Sequence, residues 1–434
     1  MKRIIRREWE YLSIGDGSDC VTRAEADALL RLADRAAPAL KLSPTGGEGE
    51  KIILDGRHRL RMQQVVGVLS TPGVVLEILP KTETDEFDCR ADLVSMIAMA
   101  GGFPVASLQI ARMESRSTDL LEVVMQAFAR DLVAALRPGV DRTYLARNDD
   151  TPFLRGRLDL RRQYALLAGR ADRLSCRFDE LVPDTPLNRI LRAAADLLFR
   201  HTRSVQTRRL LSEALILLDG VSVLSPGPMP IVHLNRMNLR FRSLHERATL
   251  FLRSIFQSAS SGAQEGIALL MRMNTLFESW LGEILRKTLG RTGWRVRLQA
   301  RGGVRHALQR DDRNLFAMYP DILLERGGRN IVLDTKWKRL APLDQDHRRG
   351  ILQDDVYQML AYRQAWNAEA VFLIYPGQDG GCAVDRLHIR GAERPLLVVE
   401  VPTREPRRAA TAIADTLLPM LASLIEDEIE HGAP

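Results

Sequence analysis

Residues 319–338, YPDILLERGGRNIVLDTKWK, constrain this chain more tightly than any other stretch. Two apolar runs, residues 321–326 and 331–337, flank Gly327-Gly328. Glycines tolerate the positive φ of a tight turn, so the stretch is predicted to fold as an antiparallel β-hairpin. A loop centred on the glycine pair sets Asp321 opposite Asp334, with Cβ atoms roughly 5 Å apart. Side chains alternate along a strand, so Val332, Asp334 and Lys336 share one face and Ile331, Leu333, Thr335 and Trp337 take the other.

Two carboxylates held this close repel each other, and a divalent cation between them removes the conflict. Hard oxygen donors suit Mg²⁺, with Mn²⁺ able to substitute. Such an ion polarises a phosphate and acidifies a bound water, while a neighbouring lysine offsets charge developing on phosphorus oxygens. The chemistry to expect is therefore metal-dependent phosphodiester hydrolysis. An isolated D-x-K in a strand is usually a solvated ion pair; Pro320, the hairpin and the apolar face around Leu323, Ile331 and Leu333 set this one apart.

The set resembles the PD-(D/E)xK nuclease superfamily, with Pro320-Asp321 as the first half of the motif and Asp334-Thr335-Lys336 as the second. The resemblance implies catalytic Asp321, Asp334 and Lys336, and metal ligands Asp321, Asp334 and the carbonyl of Thr335. It also implies an acidic residue from a preceding helix. Residues 265–289 carry Leu270, Met273, Phe277, Leu281, Ile284 and Leu285 at helical spacing, and Glu278 borders that stripe as the matching candidate. After the hairpin, residues 350–366 read as a helix that brings Gln358 and Tyr362 onto one face. These look like the Q-x-x-x-Y element of RecB-type nucleases, which implies that Gln358 orients phosphate or Lys336.

The remaining C-terminal sequence supplies buried strands at residues 370–375 and 396–401 and a closing helix at 409–429. The fold class expected is α+β multidomain. It comprises an N-terminal α+β domain (residues 1–110), a helical middle domain (111–258) and a C-terminal α/β domain with a mixed, restriction-endonuclease-like sheet (259–434). A chain of 434 residues with 45% hydrophobic content supports several cores. Residues 43–51, SPTGGEGEK, read as a polar loop or hairpin tip, and glycine, serine and glutamine at 257–264 read as a boundary.

The formal charge of +7 favours polyanionic partners, and residues 154–162 and 236–247 concentrate arginine. Cys20, Cys89, Cys176 and Cys382 lie too far apart for a zinc or disulfide framework. Neither an apolar leader nor a run of about 20 apolar residues occurs, so the expected location is the cytoplasm.

Several blocks together resemble one family. Arg155-Gly156-Arg157-Leu158, the runs CRFDE from Cys176 and PLNRIL from Pro186, MNTLFE from Met273, Pro320-Asp321, LDTKWK from Leu333 and YQMLAY from Tyr357 look like the McrC family. Its members are nuclease subunits of McrBC-type, 5-methylcytosine-directed restriction systems. The resemblance implies an AAA+ GTPase partner, an McrB-like hexamer that binds GTP and modified double-stranded DNA. It implies that the N-terminal part docks on that hexamer and stimulates hydrolysis while the C-terminal part cuts. The sequence agrees in having no G-x-x-x-x-G-K-[ST] phosphate loop; GGEGEK lacks both its spacing and a preceding apolar strand. Two other functions stay open at this point: a self-sufficient repair or recombination nuclease, and a non-catalytic scaffold that activates an NTPase.

Overall fold

A computed structural model describes residues 2–43, 50–82, 86–100, 120–170, 172–225, 227–259, 266–290, 292–299, 304–311, 313–377, 381–391 and 395–426. The chain forms two compact units: one joins residues 1–120 to 257–434, and the other is residues 121–256. The domain boundary expected at residue 110 and most of the loop at 43–51 lie outside the described residues.

The N-terminal segment contains β1 (Lys2–Arg7), β2 (Tyr11–Ser13), α1 (Arg23–Ala36), β3 (Ile53–Asp55), β4 (Arg59–Met62), β5 (Val65–Ser70), β6 (Val74–Leu79) and α2 (Glu86–Ala100). Thr22 and Glu25 form a capping box that starts α1, satisfying two backbone N–H groups that would otherwise lack partners. The apolar face of α1, with Leu29, Leu32 and Ala33, packs on the sheet formed by β1, β6 and β5. Glu77 interrupts the apolar strand β6 and is fully buried, but its carboxylate is held by Arg90 at 2.8 Å and Arg3 at 3.0 Å. A buried charge is tolerable only when neutralised in this way.

The second unit contains most of α3 (Leu120–Leu136), followed by β7 (Thr143–Thr151), β8 (Arg157–Leu158), α4 (Leu160–Leu166), β9 (Leu174–Val182), α5 (Pro186–His201), α6 (Val205–Leu217) and most of α7 (Arg242–Ala259). Helices dominate as expected, but β7, β9 and β8 add an antiparallel sheet to them. Asn188 of the PLNRIL block is buried and bridges the carbonyls of Asp141 and Pro183 at 2.8 and 2.7 Å, while Thr185 caps its helix. Part of the arginine density at 154–162 is used internally, since Arg162 meets Asp150 at 3.3 Å. The α7 helix runs to Ala259, into the stretch read from sequence as a boundary.

The last segment contains β10 (Ile267–Arg272), α8 (Met273–Leu289), β11 (Arg295–Leu298), β12 (Arg305–Arg310), β13 (Arg313–Met318), β14 (Ile322–Arg326), β15 (Arg329–Thr335), α9 (Gln353–Trp366), β16 (Ala368–Gly377), β17 (Ala383–Leu387), β18 (Leu396–Pro402) and α10 (Pro406–Glu426). One expectation is corrected here. Residues 265–289 are not a single helix: β10 precedes α8 and pairs antiparallel with β5 in the N-terminal sheet. An apolar run such as IALLMR satisfies a buried strand as well as a helix, and pairing with β5 decides between them.

The second sheet has the order β11-β14-β15-β16-β18-β17, with parallel pairing among β15, β16 and β18 and antiparallel pairing elsewhere. Met359, Tyr362 and Trp366 of α9 cover the face bearing Leu323, Val332 and Leu373. The other face meets α8, where Phe277 packs against Trp337 with ring centroids 5.3 Å apart. No helix among the described residues is long and apolar enough to cross a membrane.

Candidate active site

The hairpin register is the expected one. Ile322 pairs with Leu333, Leu323 with Val332 and Arg326 with Arg329. One step beyond the first of these pairs, away from the turn, Asp321 comes to Asp334. Gly327 and Gly328 make the turn at φ of 57° and 84°. There the chain before β14 folds against the end of β15: Asp321 Oδ2 accepts hydrogen bonds from the Thr335 N–H and hydroxyl, both at 2.7 Å.

Asp334 is 2% exposed. Burial, reinforced by the charge of Asp321, pushes its carboxyl up to about 6. Asp321 is likewise raised, chiefly by burial. Lys336 lies on the same face as Asp334, its ammonium 2.7 Å from Asp334 Oδ2. That oxygen is buried and still lacks a hydrogen bond of proper direction, so the lysine neutralises it without satisfying it.

Asp355 of α9 completes the charge cluster. It lies 3.3 Å from Lys336 and 2.7 Å from Lys338. Burial pushes its carboxyl up, but the hydrogen bond and charges of the two lysines outweigh that and hold it below the usual carboxylate range. Sequence reasoning missed Asp355 and Lys338. The signal was present, because Asp355 precedes Gln358 by three residues and Tyr362 by seven, the spacing of one helix face.

Gln358 and Tyr362 act on both halves of the motif. Lys336 donates to Gln358 Oε1 at 2.9 Å, Gln358 Nε2 donates to the Tyr362 hydroxyl at 3.0 Å, and that hydroxyl donates to the Tyr319 carbonyl at 2.9 Å. The tyrosine fixes which end of the amide faces the lysine. Burial pushes the Tyr362 phenol up to about 12, so it stays a donor at neutral pH. One helix thus holds the lysine after Asp334 and the loop before Asp321.

The residues present fit a hard divalent cation. They offer two adjacent carboxylates, each raised by burial, and a buried carboxylate oxygen short of a directed partner. Three acids, Asp321, Asp334 and Asp355, share two lysines, so the acids outnumber the cations that neutralise them. Among the described residues no three Asp, Glu, His or Cys side chains gather closely enough to hold an ion. Glu278 is therefore not brought into one group with Asp321 and Asp334. It is buried on α8, which packs on the sheet face opposite Asp334. Mg²⁺ accepts such a set, commonly taking one or two carboxylates and completing its shell with water and substrate phosphate.

Replacing Gln358 with leucine removes the acceptor for Lys336 and the donor to Tyr362 while preserving volume. We expect a fall of roughly 10–100-fold in cleavage rate, as for partners that orient catalytic side chains, with little change in thermal midpoint. Undiminished cleavage would show that Lys336 needs no such support.

A protein-family model described as the McrBC 5-methylcytosine restriction system component matches residues 60–376. Among solved structures, the fold is similar to a chain of a refined half-complex from the tetradecameric assembly of Thermococcus gammatolerans McrB AAA+ hexamers with bound McrC. There the identity is 21% and the TM-score 0.68, covering 96% of this chain and 100% of that one. A chain of the Thermococcus gammatolerans McrBC complex, seen by cryo-electron microscopy, is 25% identical with a TM-score of 0.53, covering 66% of this chain and 88% of that one. No curated protein matches. The family match spans β5, β6 and β10 of the N-terminal sheet, the middle unit and the hairpin with its two aspartates, and on that extent the chain belongs to the McrBC 5-methylcytosine restriction system component family.

Proposed function

We propose that this chain is the endonuclease subunit of a McrBC-type restriction complex, hydrolysing DNA phosphodiester bonds with Mg²⁺ or Mn²⁺. In this reading it works with an McrB-like AAA+ GTPase whose hydrolysis it stimulates. The observation that carries the reading is the convergence of Asp321, Asp334 and Lys336 at the ends of β14 and β15, braced by Gln358 and Tyr362.

Asp321, Asp334 and the carbonyl of Thr335 would hold the ion. When bound, the ion supplies Lewis acidity to the scissile phosphate and acidifies water. Lys336, held by Gln358 and Asp355, places a positive charge beside the phosphate oxygens, where negative charge grows during attack. Thr335 fixes the Asp321 carboxylate by two hydrogen bonds, so that little reorganisation is left for the reacting state. The hairpin of β12 and β13, exposed along most of its length, leads directly into Tyr319 and carries Arg305, Arg310 and Arg313 for duplex phosphates.

The partner follows from the family and from the assemblies named in the two similar structures. The test is reconstitution with a cognate McrB-like GTPase on methylated and unmethylated DNA, with and without GTP and Mg²⁺. Double-strand cleavage is expected only with GTPase, GTP and metal together. Cleavage by the isolated chain with metal alone would instead make it a self-sufficient nuclease.

A further inference from the structure

A cavity of about 700 Å³ opens where parallel strands of both sheets end. Its wall comes from Arg7 to Glu10 after β1, Lys81 and Thr82 after β6, Trp337 to Arg339 after β15, Pro376 and Gly377 closing β16, and Thr403 after β18. The carboxyl ends of parallel strands are where open sheets place ligands, and the volume lies within the range of small-molecule sites.

The lining is specific in chemistry. Two indoles, Trp9 and Trp337, stand among four basic side chains, Arg7, Lys81, Lys338 and Arg339. Trp337 is anchored at both ends: its ring packs on Phe277, and its Nε1 donates to Glu8 Oε2 at 3.1 Å. Glu8 is 1% exposed, and its other oxygen, Oε1, is buried without a hydrogen-bond partner. The Lys81 N–H also donates to Glu8 Oε2, at 3.2 Å, so this buried carboxyl ties the ends of β1, β6 and β15 together beneath the cavity. The cavity also touches the catalytic cluster through Lys338, which bonds Asp355, which in turn contacts Lys336.

Aromatic and cationic side chains in one cavity match two needs of a nucleotide: a base to stack and a phosphate to neutralise. We propose that this cavity receives one unpaired nucleotide of the DNA strand beside the scissile phosphate, its base against Trp9 and Trp337 and its phosphate toward Lys81 and Arg339. The proposal rests on the nuclease reading above and extends it, because it requires a base near the cut to leave the duplex.

The test uses the full chain carrying Asp334→Ala, so that binding is read without cleavage. A fluorescein-labelled pentadeoxynucleotide is titrated by anisotropy, with deoxycytidine monophosphate and GTP as competitors. We expect saturable binding weakened at least tenfold in Lys81→Glu and in Trp9→Ala, with the free nucleotides competing only at far higher concentration. Binding that is absent, or equal in all three proteins, overturns the proposal. Displacement by GTP at concentrations matching the oligonucleotide also overturns it, assigning the cavity to a free nucleotide. Oligonucleotide binding at the cavity, with no metal-dependent cleavage by the Asp334-bearing complex, would remove the nuclease reading and leave the cavity as a strand-binding site.

Discussion

Replacing Asp334 with alanine is expected to lower DNA cleavage by the reconstituted complex on the order of a thousandfold, equivalent to about 4 kcal/mol of lost transition-state stabilisation. The fold should not suffer. Asp334 is a buried carboxylate pushed up to about 6 by burial and by Asp321, so its removal relieves a desolvation penalty and a repulsion that offset the lost pairing with Lys336. Lys336 keeps Asp355 at 3.3 Å and Gln358 at 2.9 Å, and is not left uncompensated. The thermal midpoint should therefore stay level or rise, and stimulation of GTP hydrolysis should persist. Cleavage within tenfold of the parent would place the chemistry elsewhere. Loss of GTPase stimulation in a folded variant would show that cutting and stimulation are not separable.

The second large effect concerns stability. Gly67 lies in the middle of β5 at φ +132°, where an added Cβ would stand 2.0 Å from the carbonyl oxygen of Leu269 on β10. No side chain can yield there, because the obstructing atom belongs to the paired backbone. Gly67→Ala must open the junction of β5 and β10, and we expect a loss of about 4 kcal/mol or more, a large share of the stability of a folded domain. Gly139 supplies the control. It has nearly the same φ, +134°, with nothing within 4 Å of a Cβ, so Gly139→Ala should cost only the backbone strain of that conformation, about 1–3 kcal/mol. Urea midpoints for the two variants decide the matter; similar midpoints would show that the strands can part at that point.

Acidity gives a smaller effect with a defined sign. Burial raises Glu8 from 4.5 to about 7, so the folded chain binds this proton more tightly than the unfolded chain. That contribution is complete below the unfolded value near 4.5 and is lost as pH rises through about 7. Between pH 5 and 8 the stability difference should therefore shift toward Glu8→Gln by up to about 3 kcal/mol. A pH-independent difference between variant and parent would mean that Glu8 ionises normally.

Much of the site was readable because strand periodicity and turn chemistry act locally. A glycine pair and a two-residue repeat are enough to set Asp321 against Asp334 and Lys336 beside it, and a four-residue spacing is enough to align Gln358 with Tyr362. Asp355 escaped because an aspartate near a helix start has an ordinary explanation in the helix dipole; only its packing against Lys336 and Lys338 reveals more. The β7 strand, TYLARNDDT, escaped for the opposite reason. Seven of its nine residues are exposed, so no alternation of apolar and polar positions marks it, and pairing with β9 alone makes it a strand. The segment from Ile267 to Arg272 shows that an apolar run cannot declare its partner: Val65 to Ser70, some two hundred residues earlier, determines what it becomes.

That distant pairing bears on how the polypeptide can be dissected. A fragment ending before residue 120 would carry β5, buried along its whole length in the intact chain, as a bare rim, the kind of margin that recruits other chains into aggregates. A fragment made of the last segment alone would open with six orphaned residues running without a break into α8. Truncations meant to isolate either end should therefore graft residues 267–272 back onto the first 100, or leave the backbone whole and nick it within residues 121–256.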